Sequence, residues 1–208
     1  MGAVNGFVEQ EFAFELISDR CKTTYDVNAI CCAAAVAAGL VGFTIATETT
    51  GSIMGPCLFC GATGLRPTYG RVSRYGCMQL CWSLDKVGSI CRHIDDCALV
   101  FAAIHGADPR DVASVDHPYV WPSTRELSTI RVGYVPNGAG EQELDSLRVL
   151  RELGVKLVPL EPPNFKKDFG IMTELNVGLV ASEAGSAFEH LTRHEEPKGV
   201  KGHPQYFL

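Results

Sequence analysis

An α/β fold, with helices laid on a largely buried sheet, is what this chain of 208 residues predicts. Three observations carry that expectation. A strand, a helix and a second strand follow one another between Ile130 and Leu160, at the spacing of a right-handed parallel crossover. An Ala-rich helix runs straight into an apolar strand between Val27 and Thr47. The composition, 46% hydrophobic and 20% charged, belongs to a chain that can bury about 70% of its surface without disulfides or metals to staple it.

Taken in order, Met1–Thr24 is mixed in character and forms an N-terminal segment of unclear role. The uncharged stretch Val27–Thr47 is long enough to cross a bilayer. Its Ala, Gly, Cys and Thr residues give little transfer energy, however, and Gly39 and Gly42 divide it. It therefore reads as a buried helix ending at Gly39 and a strand Leu40–Thr47. Glu48–Gly64 reads as a buried loop and turn, and Pro67–Arg74 as a turn region around Gly70. A helix is expected over Asp95–His105, capped by Asp95 or Asp96, presenting Ala98, Leu99, Ala102 and Ala103, and stopped at Gly106. Pro109, Pro118 and Pro122 make Ala107–Arg125 an irregular connection.

Ile130–Val135 alternates as a strand does. Glu141–Leu153 has Leu144, Leu147, Leu150 and Leu153 on one side and Gly154 as its stop, and Val155–Leu160 is the returning strand. A last helix is expected from about Ile171 to Leu191, before a polar tail. The domain proper is placed at residues 25–193 and the tail at 194–208.

Charge and cysteine narrow the function. Eighteen basic residues stand against 24 acidic ones, with no basic stripe, so binding nucleic acid through its phosphates is not expected. Nine cysteines, an odd number, and a start carrying Glu9 and Glu11 without a secretory pattern point to free thiols in a reducing cytoplasmic setting. Cys57-x-x-Cys60 and Cys77-x-x-x-Cys81 approach a four-cysteine zinc pattern, but the second pair is one residue too widely spaced. These thiols read as packing groups, and no metal or cofactor is expected.

The most informative segment is Thr47-Glu48-Thr49-Thr50-Gly51-Ser52-Ile53. Small residues ahead of a serine let backbone N–H groups converge on one point, which can hold an oxyanion beside a hydroxyl nucleophile. By itself this composition is also that of an ordinary turn.

Its context is more specific. Cys32-Ala-Ala-Ala-Val-Ala-Ala-Gly-Leu-Val41, Phe43–Ser52, Cys60-Gly61, Gly64-Leu-Arg-Pro-Thr-Tyr-Gly-Arg-Val-Ser-Arg-Tyr-Gly76 and Trp82-Ser-Leu-Asp-Lys-Val-Gly88 resemble the amidase signature family. So do Asp95–Leu99, His105-Gly106-Ala-Asp-Pro-Arg-Asp111, the strand Arg131–Val135 and the segment Glu183–Phe188. The resemblance runs from about Asn28 to Arg193. It implies an α/β/α sandwich with a mixed sheet, here incomplete, and hydrolysis of an amide by a Ser–Ser–Lys triad without a cofactor. It also implies Ser52 as the nucleophile and Thr49, Thr50 and Gly51 as the oxyanion-hole backbone. A small amide, glutamine among the possibilities, would be the substrate.

The resemblance also marks departures. A serine hydroxyl needs a base to become a nucleophile near neutral pH. In the family a Lys acts through a second Ser held in a Gly/Ser loop, which falls here on Asp26-Val-Asn-Ala-Ile-Cys-Cys32. Asn28 stands at the relay-Ser position, and an amide cannot pass a proton as a hydroxyl does. Lys22, the single Lys ahead of Ser52, sits outside the family's motif and reads as solvated. Met54 stands where many members carry an Arg. Catalysis is therefore expected to be impaired or absent, with a binding or scaffold role as the alternative.

Members of the family are roughly twice as long or more, so the chain is expected to leave sheet surface uncovered and open to association. Two rival patterns are weaker. No Ser lies in G-x-S-x-G. Gly138-Ala-Gly-Glu-Gln-Glu143 has the layout of a dinucleotide loop, but Glu143 replaces the third Gly and repels a pyrophosphate.

Overall fold

The computed structural model describes residues 27–136, 145–161 and 165–189. They fall into two compact units, which part after Tyr119 and again after Gly178. Met1–Thr24, with Lys22, lies outside the described residues, as do the Gly138–Glu143 loop and the tail.

In the first unit the described elements are, in order, helix α1 (Val27–Ala37), strand β1 (Phe43–Glu48), helix α2 (Met54–Cys60) and strand β2 (Thr63–Leu65). Strand β3 (Lys86–Cys91) and helix α3 (Ile94–Ile104) complete it, with the end of a later helix. Helix α1 ends as its sequence predicts. Gly39 takes a positive φ of 75°, and the N–H groups of Gly39 and Leu40 bond back to the carbonyls of Val36 and Ala35.

β3 is the centre of a three-stranded antiparallel sheet, order β1-β3-β2. Its residues alternate between two layers. Ile90 packs with Ala33 and Val36 of α1, Ile53, and Cys57 of α2. Val87 packs with Val72 and Phe101 of α3. Helices thus cover both faces, as the α/β/α reading requires. On β1, Phe43 and Ile45 are about half exposed, at 52% and 45%.

Three expectations change. Glu48–Gly64 holds a helix and a short strand, and is not simply loop. Helix α2 escapes local reading because Gly55 and Pro56 lie in its first turn, where Pro is tolerated since that N–H has no intrahelical partner. β3 escapes because Gly88 breaks its apolar run. A Cβ at 88 would collide with the Leu65 carbonyl and lie 2.9 Å from the Ile53 side chain, so close approach of β2 demands glycine. Finally, α3 buries Cys97, Ala98 and Phe101 and leaves Leu99 exposed. His93 is its N-cap, and Asp95 and Asp96 fall in the first turn, where the helix dipole favours them.

The second unit carries a 3₁₀ turn (Leu127–Thr129), strand β4 (Arg131–Tyr134), helix α4 (Asp145–Glu152) and strand β5 (Lys156–Pro159). β4 and β5 pair in parallel, Val132 opposite Leu157, as the strand–helix–strand spacing predicts. Gly154 stops α4 with a φ of 83°, and the Val155 N–H returns to the Leu150 carbonyl. Helix α5 (Phe165–Ala187) starts earlier than expected. It contributes its first part to this unit and its last part to the first.

Candidate functional site

The loop between β1 and α2 holds Ser52, and its geometry starts from Glu48. This carboxylate, 5% exposed, accepts hydrogen bonds from the backbone N–H of Ile53 and of Met54 at 2.9 Å each. Those are the first donors of α2, which have no partner inside the helix. A side chain five residues upstream therefore caps the helix and closes the loop. Arg66 stands 3.3 Å from the other Glu48 oxygen. Ile53 is fully buried and locks the loop's last residue into the core, while Gly51 takes a φ of 123°. Ser52, at the turn, is exposed.

At the loop's first residue, the Thr49 hydroxyl donates to Asp85 Oδ1 at 2.6 Å, and Lys86 Nζ donates to the Thr49 carbonyl at 2.8 Å. The second Asp85 oxygen accepts from the N–H of Leu80 at 2.8 Å and of Cys81 at 3.0 Å. Burial lowers the Lys86 ammonium below its ordinary range, with Arg66 adding to this. Glu48, Asp85 and Cys81 oppose it.

The residues proposed from sequence are thus partly assembled. Thr49, Thr50, Gly51 and Ser52 form one anchored loop. Asn28 lies in the first turn of α1, and its side chain is outside the described set. Met54 begins α2 and is half exposed, at 50%. Sequence reasoning missed Glu48, Asp85 and Lys86. The signal available for the last two was the cross-strand register itself, since Lys86 lies opposite Glu48 on β3.

Near the start of the loop lies a shallow hollow, open to solvent and with room for little more than one water molecule, edged by Thr47, Asp85, Met78, Trp82 and Val87. Arg74 forms one wall. Its guanidinium lies 4.5 Å from the Tyr69 ring centre and 4.2 Å from that of Trp82. It donates to the Tyr69 hydroxyl and the Trp82 carbonyl, and pairs with Asp111. Behind the hollow, Glu183 of α5 accepts from the N–H and hydroxyl of Ser83 and from the Cys81 thiol. The Ser83 hydroxyl and N–H hold the Glu183 carboxyl below its usual range.

Cys57, Cys77, Cys81, Cys91 and Cys97 are free thiols. Among the described residues no group of three or more His, Cys, Asp or Glu is placed to hold a metal, and no helix is long and apolar enough to cross a membrane. Burial, then the neighbouring Cys97, pushes Cys57 up to about 11 and Cys91 up to about 12. Only thiolates alkylate readily. At pH 8 the folded chain is expected to leave these two sulfurs unmodified by iodoacetamide, and the unfolded chain to react at both. Peptide mass spectrometry reads the difference, and native labelling of either would contradict their placement.

Comparison with known proteins adds relatives to this geometry. A family model described as Amidase matches residues 32–202. The chain is 43% identical over 144 residues to the A subunit of glutamyl-tRNA(Gln) amidotransferase from Roseiflexus sp. (strain RS-1), covering 64% of this chain and 29% of that one. It is 42% identical over 150 residues to the protein of the same name in Anaeromyxobacter dehalogenans (strain 2CP-C), covering 66% and 30%. The chain therefore spans under a third of the length of these relatives. Among solved structures it is similar to the native peptide amidase of Stenotrophomonas maltophilia, with a TM-score of 0.62 and 31% identity over 77% of this chain and 35% of that one.

Proposed function

Because the chain belongs to the amidase family, we propose that Ser52 holds the place of the nucleophile in a site for hydrolysing the carbon–nitrogen bond of a small amide. We propose further that turnover by this chain is impaired. The observation that supports the first part is the pair of hydrogen bonds that Glu48 accepts from the N–H groups of Ile53 and Met54, which closes the loop around Ser52. On a closed loop of this kind the N–H groups of Thr49, Thr50 and Gly51 would supply the donors that stabilise a tetrahedral oxyanion.

Asn28 supports the second part. The Ser52 proton needs an acceptor as the oxygen attacks. An asparagine amide at the relay position offers none, and its helical setting in α1 differs from the Gly/Ser loop of the family pattern. The alternative is a binding or scaffold role, favoured by the half-exposed Phe43 and Ile45 of β1.

Hydrolysis of a primary amide and of an anilide, followed by ammonia or amine release, tests the proposal. A slow rate abolished in Ser52→Ala is the expected result. An equal rate in Ser52→Ala overturns the assignment of the nucleophile. A rate typical of an efficient hydrolase, above about 1 s⁻¹, overturns the claim of impairment.

A further inference from the structure

The same loop carries a second set of restraints, supplied from downstream. Thr49 is gripped at two atoms by two consecutive residues: its hydroxyl by Asp85 and its carbonyl by Lys86. Asp85 is itself fixed by the N–H groups of Leu80 and Cys81. Lys86 is fixed by the β1–β3 register, which sets it opposite Glu48. This one cross-strand pair thus reaches both ends of the Ser52 loop, Lys86 at Thr49 and Glu48 at Ile53 and Met54.

We infer that Lys86 is a positioning residue for this site, and that it acts by setting the peptide plane between Thr49 and Thr50. The peptide group is planar and trans, so its C=O and N–H point in opposite directions. An ammonium that pins the Thr49 carbonyl therefore directs the Thr50 N–H to the far side of the chain. Thr50 is one of the three residues assigned to the oxyanion hole, an assignment on which this inference rests.

A charged donor suits the role. Hydrogen bonds from an ammonium to a carbonyl are stronger than neutral ones, and Lys86 is partly withdrawn from water. The charged groups facing it are Glu48 from β1, Arg66 from the segment after β2, and its neighbour Asp85, with the Cys81 thiol close by. Of these, Arg66 works against the ammonium, and Glu48 and Asp85 work for it.

Carbon-detected magnetic resonance of the full chain, labelled with ¹³C and ¹⁵N, tests the inference without requiring catalysis. In the wild-type chain the Thr49 carbonyl resonance is expected to shift with pH at the same midpoint as the Lys86 side-chain Cε resonance, below the free-lysine value of about 10.4. In Lys86→Met that inflection is lost and the Thr50 nitrogen resonance moves, while the resonances of α4 stay in place. Lys86→Arg keeps a cationic donor and is expected to restore the Thr50 position.

A Thr49 carbonyl that does not follow Lys86 in the wild type overturns the inference, even if Lys86→Met fails to fold. So does a Thr50 resonance unchanged in a folded Lys86→Met chain. A Thr49 carbonyl that tracks Lys86 in a chain without hydrolysis would sink the functional proposal and leave the positioning role standing. An unmoved carbonyl in a hydrolysing chain would do the reverse.

Discussion

Asp111→Ala is expected to destabilise the first unit by about 3–5 kcal/mol, the usual cost of removing one partner from a buried ion pair. Asp111 is 2% exposed. It accepts from the N–H of Arg74 at 2.8 Å and of Ala113 at 3.1 Å, and lies 3.5 Å from Arg74 Nε. Alanine would strand two backbone donors and a guanidinium that Tyr69 and Trp82 keep dry. A loss of that size lowers the melting temperature by roughly 6–20 °C in a chain of this length, which a thermal melt followed by circular dichroism would detect. A drop of less than about 2 °C, at or below the usual shift for 1 kcal/mol, would mean that Arg74 finds water when its partner is gone.

The same residue sets an acid limit. Burial raises the Asp111 carboxyl, but the N–H groups of Arg74 and Ala113 and the Arg74 guanidinium outweigh it, and the net direction is down. A carboxyl depressed on folding adds stability that is present above its unfolded value of about 3.9 and is lost as pH falls through the folded value. Stability should therefore fall more steeply below about pH 4 in the wild type than in the alanine variant.

Glu48→Ala should cost about 1–3 kcal/mol, because it leaves the buried Ile53 N–H and the part-buried Met54 N–H at the start of α2 without an acceptor. Glu48→Gln should recover most of that loss. Both N–H groups go to one oxygen, and the Gln carbonyl can take them, while the pair with half-exposed Arg66 contributes little. Comparing the two melts separates capping from charge. Equal losses would mean that the ion pair dominates.

How much of this was legible in the sequence depended on the distance over which each feature is encoded. Helix α1 with Gly39 and the β4–α4–β5 unit with Gly154 are written in periodicities and stops a few residues long, and they were readable. The Ser52 loop was readable because its small residues and its serine are contiguous. Helix α2 was not, because its cap, Glu48, lies outside the window in which capping residues are sought. β3 was hidden by Gly88, which is present for the sake of β2 and not for strand propensity. Lys86 was the least legible of all. Its partner Thr49 lies 37 residues upstream, and only the strand register brings the two together. Asp111 likewise acts on Arg74 across 37 residues, within a motif whose spacing says nothing of burial.

We propose that this chain keeps an anchored Ser52 loop in which Ser52 is only weakly activated. Intact-mass analysis after exposure to a fluorophosphonate, on the wild-type chain and on Ser52→Ala, tests it most directly, with a thermal melt run alongside to establish cooperative folding. The folded wild-type chain is expected to gain at most a slowly forming adduct, absent from Ser52→Ala. A single, rapidly formed adduct that disappears in Ser52→Ala would contradict the claim, and would show that a base reaches Ser52 despite Asn28.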